Sequence, residues 1–180
     1  MTTETAAAEF LKKYEGYTPV ALWDVNAWRI GHGSDTHTDA NGSIRQVKQG
    51  DTTTTQDAQR DLERRIKNEF IPKIINKIGA DTWNNLPQGA KVAFVSLAYN
   101  YGNVTKTAII AAAKSGNLAN LARTWITSTY NDNPKLSEGI RQALRNRRAA
   151  EAALITTQDT KKKALLIAAA LLIAAVIVSK

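Results

Sequence analysis

The first apolar stripe falls at Ala7, Phe10, Leu11 and Tyr14. This i, i+3, i+4, i+7 spacing predicts an amphipathic helix, and Gly16 stands where it should stop. Between about Pro19 and Val47 the texture changes. Short apolar runs at 20–23, 27–30 and 44–47 are broken by Gly31, Gly33, Asn41 and Gly42, which predicts a small antiparallel sheet. From Thr54 to Thr157 the spacing is helical. Ala58, Leu62, Ile66 and Phe70 mark one face of a helix that the Thr53–Gln56 spacing would cap. Pro87 opens a buried helix running through Ala98, and further helices are expected at about 104–115, 117–129 and 136–157. The predicted class is α+β, with one helix and a small sheet beside a helical lobe.

The end of the chain is different. Residues 164–178 are only Ala, Leu, Ile and Val, preceded by Lys161, Lys162 and Lys163 and followed by Ser179 and Lys180. Without a polar stripe, an amphipathic surface helix is disfavoured. As a helix this run would span about 23 Å, against roughly 30 Å of bilayer hydrocarbon. Lysines at both ends close the gap by snorkelling. The expected organisation is a domain over 1–157, a basic juxtamembrane linker over 158–163 and a single C-terminal transmembrane helix over 164–178. The triple lysine would keep the domain on the cytoplasmic side. Residues 1–9 lack the basic-then-apolar pattern of a signal peptide.

Composition narrows the chemistry. The chain of 180 residues has no cysteine, which removes disulfides, zinc–thiolate sites, iron–sulfur clusters and thiol nucleophiles. The net charge of +8 suggests a polyanionic neighbour such as a cell wall or an anionic lipid surface. Four of the 24 basic residues, and no acid, lie in 161–180, so the first 160 residues carry only +4. The remaining basic residues are dispersed, and no nucleic-acid partner is expected. His32, Asp35, His37 and Asp39 lie close together, but their spacing matches no metal-binding motif, so no metal or other cofactor is expected.

Two carboxylates stand out. Glu15 sits at the end of the first predicted helix, between Tyr14 and Tyr17. The negative helix pole and partial burial both disfavour a charged carboxylate there, which suits a general acid. Asp24 follows nine residues later, at the end of the 20–23 run, and is able to face Glu15 across a cleft. Two carboxylates in unlike environments are the minimum for glycoside hydrolysis, although such pairs are common on protein surfaces.

Longer motifs sharpen this reading. Tyr14-Glu15-Gly16-Tyr17, Leu22-Trp23-Asp24 and Trp28-Arg29-Ile30-Gly31-His32-Gly33 resemble the active-site segment of the phage-type lysozymes, the endolysin muramidases. Residues 53–62, 86–102 and 143–151 (Ala-Leu-Arg-Asn-Arg-Arg-Ala-Ala-Glu) resemble later landmarks of that family, in the same order. The resemblance implies a lysozyme-like fold. It also implies cleavage of the β-1,4 bond between N-acetylmuramic acid and N-acetylglucosamine in peptidoglycan, without a cofactor. Glu15 would be the general acid and Asp24 the base or charge stabiliser.

One departure from the family matters. Arg29 stands five residues after Asp24, where the family has a threonine six residues after its aspartate to hold the attacking water. Ser34, Thr36 or Thr38 would have to supply that hydroxyl. Arg29, His32, Ser34, Thr36 and Asn100 are the candidate substrate-binding positions. The missing threonine leaves a lytic transglycosylase open, in which Glu15 acts alone. A non-catalytic wall-binding or structural membrane protein is the more distant alternative.

Trp23 and Trp28 are candidate sugar-stacking rings, whereas Trp83 and Trp125 are expected in the core. Arg145, Arg147 and Arg148 are expected to pair with Glu151 and its neighbours. The expected location is a membrane, either that of a phage virion or the host cell inner membrane, for passage into or out of the host.

Overall fold

The computed structural model describes residues 1–129 and 135–157. The expected linker at 158–163 and anchor at 164–178 therefore lie outside the described residues. Among those described, no helix is long and apolar enough to cross a membrane. The described residues form two compact units: Met1–Lys77 with Phe94–Val104, and Ile78–Ala93 with those from Thr105 onward.

In the first unit, α1 runs over Thr3–Glu15. Thr2 caps it, its Oγ1 accepting from the Thr5 N–H at 3.2 Å. Glu4 in the first turn and Lys12 and Lys13 in the last complement the helix dipole. The buried positions are Ala7, Ala8 and Leu11. Tyr14, expected on that stripe, lies at its margin and packs on Phe10 with ring centroids 5.0 Å apart.

Strands β1 (Thr18–Asp24) and β2 (Ala27–Gly31) form an antiparallel hairpin in which Trp23 faces Trp28 and Leu22 faces Arg29. Strands β3 (Thr36–Thr38) and β4 (Ile44–Gln46) form a second antiparallel pair. The expected small sheet is thus two separate two-stranded sheets. The Thr-His-Thr sequence of β3 has no apolar residue to announce it. Ala21, Ile30 and Val47 form a small core here, with Trp28 packed on it.

Helix α2 (Thr55–Arg65) starts one residue later than the Thr53–Gln56 spacing suggests. Its cap is Thr54, whose Oγ1 accepts from the Asp57 N–H at 3.1 Å. The helix continues through a π turn at Ile66–Phe70 into α3 (Ile71–Ile78). Ala58, Leu62, Ile66, Phe70, Ile74 and Ile78 are all buried, at uniform four-residue spacing. In an α-helix each such step overshoots a full turn by about 40°, which would wind the stripe off the core. The wider π turn takes the drift back. Its cause is Pro72, which has no N–H for the Asn68 carbonyl and whose ring would collide with it. The Ile71 N–H reaches Ile66 O instead.

Helix α5 (Gln88–Tyr101) follows Pro87, as the sequence indicates. Ala90 and Val92–Ala98 are all buried, the mark of a helix enclosed on every side. Residues 88–93 of α5 belong to the second unit and 94–101 to the first; the second unit contains α4 (Ala80–Asn85), α6 (Thr107–Lys114), α7 (Leu118–Thr129) and a last helix, α8, over 138–157. A Cβ on Gly89 would collide with the Leu154 carbonyl oxygen, so only glycine allows α5 and α8 this approach. Trp83 and Trp125 are buried, as expected. The Trp125 indole N–H donates to Glu151 Oε2 at 2.8 Å, and the same carboxylate pairs with Arg147 at 3.5 Å and Arg148 at 3.1 Å.

Candidate active site

Glu15 is the last residue of α1. The chain leaves the helix at Gly16, whose φ of 67° is in the left-handed region. A Cβ on Gly16 would meet nothing within 4 Å, so glycine is favoured there by backbone conformation and not by space. Glu15 is partly buried, and its Oε1 is shut off from solvent.

Asp24 ends β1 and is more than half exposed. Arg29 Nε donates to its Oδ2 at 2.8 Å, and Arg29 Nη1 donates to the Gly33 carbonyl at 3.3 Å. In an antiparallel pair, opposed residues share a face and alternate residues return to it. Leu22, Asp24 and Arg29 therefore lie on one face of the hairpin, and Trp23 and Trp28 on the other. The two tryptophans pack edge to face at 5.5 Å. As a stacking candidate, Trp23 thus belongs to the face opposite Asp24.

His32 is buried just beyond β2. Its Nδ1 is 2.5 Å from the Gly16 carbonyl, and its ring lies 5.6 Å from that of Tyr17. Tyr99 Oη donates to the His32 carbonyl at 2.6 Å. Burial pushes the Tyr99 phenol well above its ordinary range; the neighbouring Arg65 opposes this, while Glu15 and Asp61 add to it. Tyr99 is therefore a permanent donor at ordinary pH.

Ser34, Thr36 and Thr38 converge on Asp61. Ser34 Oγ donates to Asp61 Oδ2 at 2.5 Å, Thr36 Oγ1 to Oδ1 at 3.1 Å and Thr38 Oγ1 to Oδ1 at 2.6 Å. Arg64 Nη2 adds a contact to Oδ1 at 3.0 Å, and Arg65 Nη1 donates to Ser34 Oγ at 3.0 Å. Asp61 is 2% exposed, so its charge rests on these partners. Asn100 is exposed in the last turn of α5. Among the described residues no group of three or more His, Asp or Glu is placed to hold a metal ion.

The phage lysozyme family model matches residues 12–151 of this sequence. The chain belongs to the phage lysozyme family. Solved structures that share its fold include two phage enzymes. One is the active form of the P1 phage endolysin Lyz, 21% identical over 84% of each chain, with a TM-score of 0.58. The other is a mutant P22 lysozyme, 20% identical over 84% of this chain and 96% of that one, with a TM-score of 0.61. None of the curated proteins matches the chain.

For a phage lysozyme, then, the structure gathers Asp24 with Arg29, and His32 with the backbone beside Glu15. It commits Ser34, Thr36 and Thr38 to Asp61. Asp61 and Tyr99 were not singled out from the sequence. Asp61 had a signal: it sits three residues after Ala58 and one before Leu62, a carboxylate on the apolar face of α2. Such a carboxylate must find partners indoors. Tyr99 had none, since it reads as one more ring in an apolar helix.

Proposed function

We propose that this protein is a lysozyme that cleaves the β-1,4 bond between N-acetylmuramic acid and N-acetylglucosamine in peptidoglycan. Glu15 protonates the leaving glycosidic oxygen, and Asp24 activates water or stabilises the oxocarbenium-like charge. The observation that carries this reading is Glu15 at the end of α1, with one carboxylate oxygen shielded from solvent, in a phage lysozyme family chain. The test is mass spectrometry of peptidoglycan digested by the wild type and by Glu15→Gln. Reducing-end muropeptides, lost in the variant, are the expected result. No products from the wild type would overturn the reading in favour of wall binding without catalysis.

A second reading, a lytic transglycosylase, is favoured by the surroundings of Asp24. Arg29 donates to its Oδ2, and the hydroxyls of Ser34, Thr36 and Thr38, the candidates to hold an attacking water, all donate to Asp61. In that reaction the sugar's own hydroxyl replaces water and Glu15 serves as acid and then base. Anhydro-muropeptides in the same digest would establish it and demote Asp24.

The reading includes a membrane tether through 164–178, at the host inner membrane or a virion membrane. Its support is the uninterrupted apolar run between lysines. In liposome flotation the full chain should rise with the lipid and a chain ending at Thr160 should not. Equal behaviour of the two would remove the tether.

A further inference from the structure

We infer that His32 is a positioning residue for Glu15, acting through the carbonyl of Gly16. The catalytic consequence rests on the lysozyme reading above; the clamp itself rests on geometry alone.

A carbonyl oxygen can only accept a hydrogen bond, so the 2.5 Å contact requires the proton on His32 Nδ1. The group it grips belongs to the residue directly after Glu15. Gly16 is where α1 gives way to β1, and its ψ of −165° sets the direction in which that carbonyl points. Glycine is the least constrained residue of the chain, so a contact that grips the Gly16 carbonyl limits how the backbone beside Glu15 turns.

His32 supplies that contact and is itself held from two sides. Tyr99 Oη donates to its carbonyl at 2.6 Å, from α5. The Tyr17 ring covers the imidazole, and Tyr17 Oη is fastened to the Thr53 carbonyl at 3.1 Å. Tyr99 in turn packs on Phe70 in the π turn, ring centroids 5.0 Å apart. His32 is 8% exposed, and its imidazole acts on Glu15 through the main chain that follows Glu15. Glu15 is thus aimed by a relay running from α5 through His32 to the end of α1. A small displacement of a reacting group by a distant change is enough to cost orders of magnitude in rate.

The test uses an asymmetry of the imidazole. Asparagine places an amide N–H near the position of Nδ1, whereas glutamine places it near Nε2. In the full chain, His32→Gln should lower kcat roughly ten- to hundredfold with KM nearly unchanged. His32→Asn should recover most of that loss. The amide NMR signals of residues 15–17 should be displaced in His32→Gln and lie close to wild type in His32→Asn. Tyr99→Phe, which removes the donor to the His32 carbonyl, should lower kcat in the same sense and serves if His32→Gln does not fold.

Equal kcat losses in the two His32 variants, a loss confined to KM, or an unaffected Tyr99→Phe would overturn the proposal. If the wild type cleaves no peptidoglycan, the lysozyme reading fails, and the NMR comparison still decides the clamp.

Discussion

Arg29 Nε donates to the Asp24 carboxylate at 2.8 Å, tying together the two strands of the β1–β2 hairpin near its tip. The pair is partly open to solvent, so it contributes about 0–1 kcal/mol to stability. Its effect on Asp24 geometry is larger, because the Gly33 carbonyl fixes the other arm of the guanidinium. Arg29→Ala should therefore leave the melting temperature almost unchanged. Under the hydrolase reading it should lower kcat roughly tenfold, since a freed carboxylate no longer rests in one orientation. Steady-state kinetics beside thermal melts of the same preparations would separate the two effects. Under the transglycosylase reading kcat should hardly move.

Asp61 is the reverse case, with much stability and no chemistry. Its carboxylate takes hydrogen bonds from Ser34, Thr36 and Thr38 and pairs with Arg64 in a buried setting. Asp61→Ala removes the common acceptor and leaves three hydroxyls and a guanidinium facing each other. Breaking one side of a buried ionic cluster costs about 3–5 kcal/mol. Ser34→Ala, which removes a single donor, should cost about 1 kcal/mol. Urea unfolding of both variants checks this, and near-equal losses would show that the hydroxyls do not act through Asp61.

The helices were legible because their signals are local. The Ala7–Leu11 spacing, the Pro87 start and the Gly16 break mark elements close to where they lie. The Arg147, Arg148 and Glu151 cluster also followed from helical spacing. Three features were not legible. Strand β3 has no alternation to detect. The π turn depends on how Pro72 acts within a helix whose apolar stripe would otherwise drift. The acceptor for the hydroxyls of 34–38 lies on a helix more than twenty residues away, a pairing that only the fold reveals. For the site, Glu15 and Asp24 stood out by type and motif. What holds them, Arg29 on one and the His32 relay beside the other, is tertiary.

Val25 at the hairpin tip is strained. Its φ is 53°, the one positive φ outside glycine among the described residues, and the residue is 89% exposed. A β-branched residue in this conformation costs on the order of 1–2 kcal/mol, with no packing to offset it. With Asp24 opposite Ala27, the loop is two residues long, and a positive φ at its first position is where glycine is preferred. Val25→Gly should stabilise the protein by about 0.5–1 kcal/mol after the entropy of glycine is subtracted. A rise in melting temperature is the check; a fall would show that the valine contacts something at the tip.

Asp51 gives the fold a pH-dependent brace. Its carboxylate is held below the ordinary aspartate range, first by the hydrogen bond from Arg45 and next by that from the Lys48 backbone N–H. The bonds measure 2.5 and 2.7 Å, and the Asp51 carbonyl also accepts from the Ala21 N–H at 2.9 Å, joining the turn after β4 to β1. A folded-state pKa below the unfolded one means that the proton binds the unfolded chain more readily. The stabilisation is then complete above the ordinary aspartate value and is lost as pH falls through the lower folded value. Asp51→Asn keeps the size of the side chain and removes the charge. The melting-temperature difference between wild type and Asp51→Asn should be clear at pH 7 and should shrink as the pH falls below about 3.8. Melts in a series of buffers from pH 7 to pH 2 measure it. A difference that stays constant across the series would mean that Asp51 acts through its shape, and that the charge of Arg45 contributes nothing to the turn.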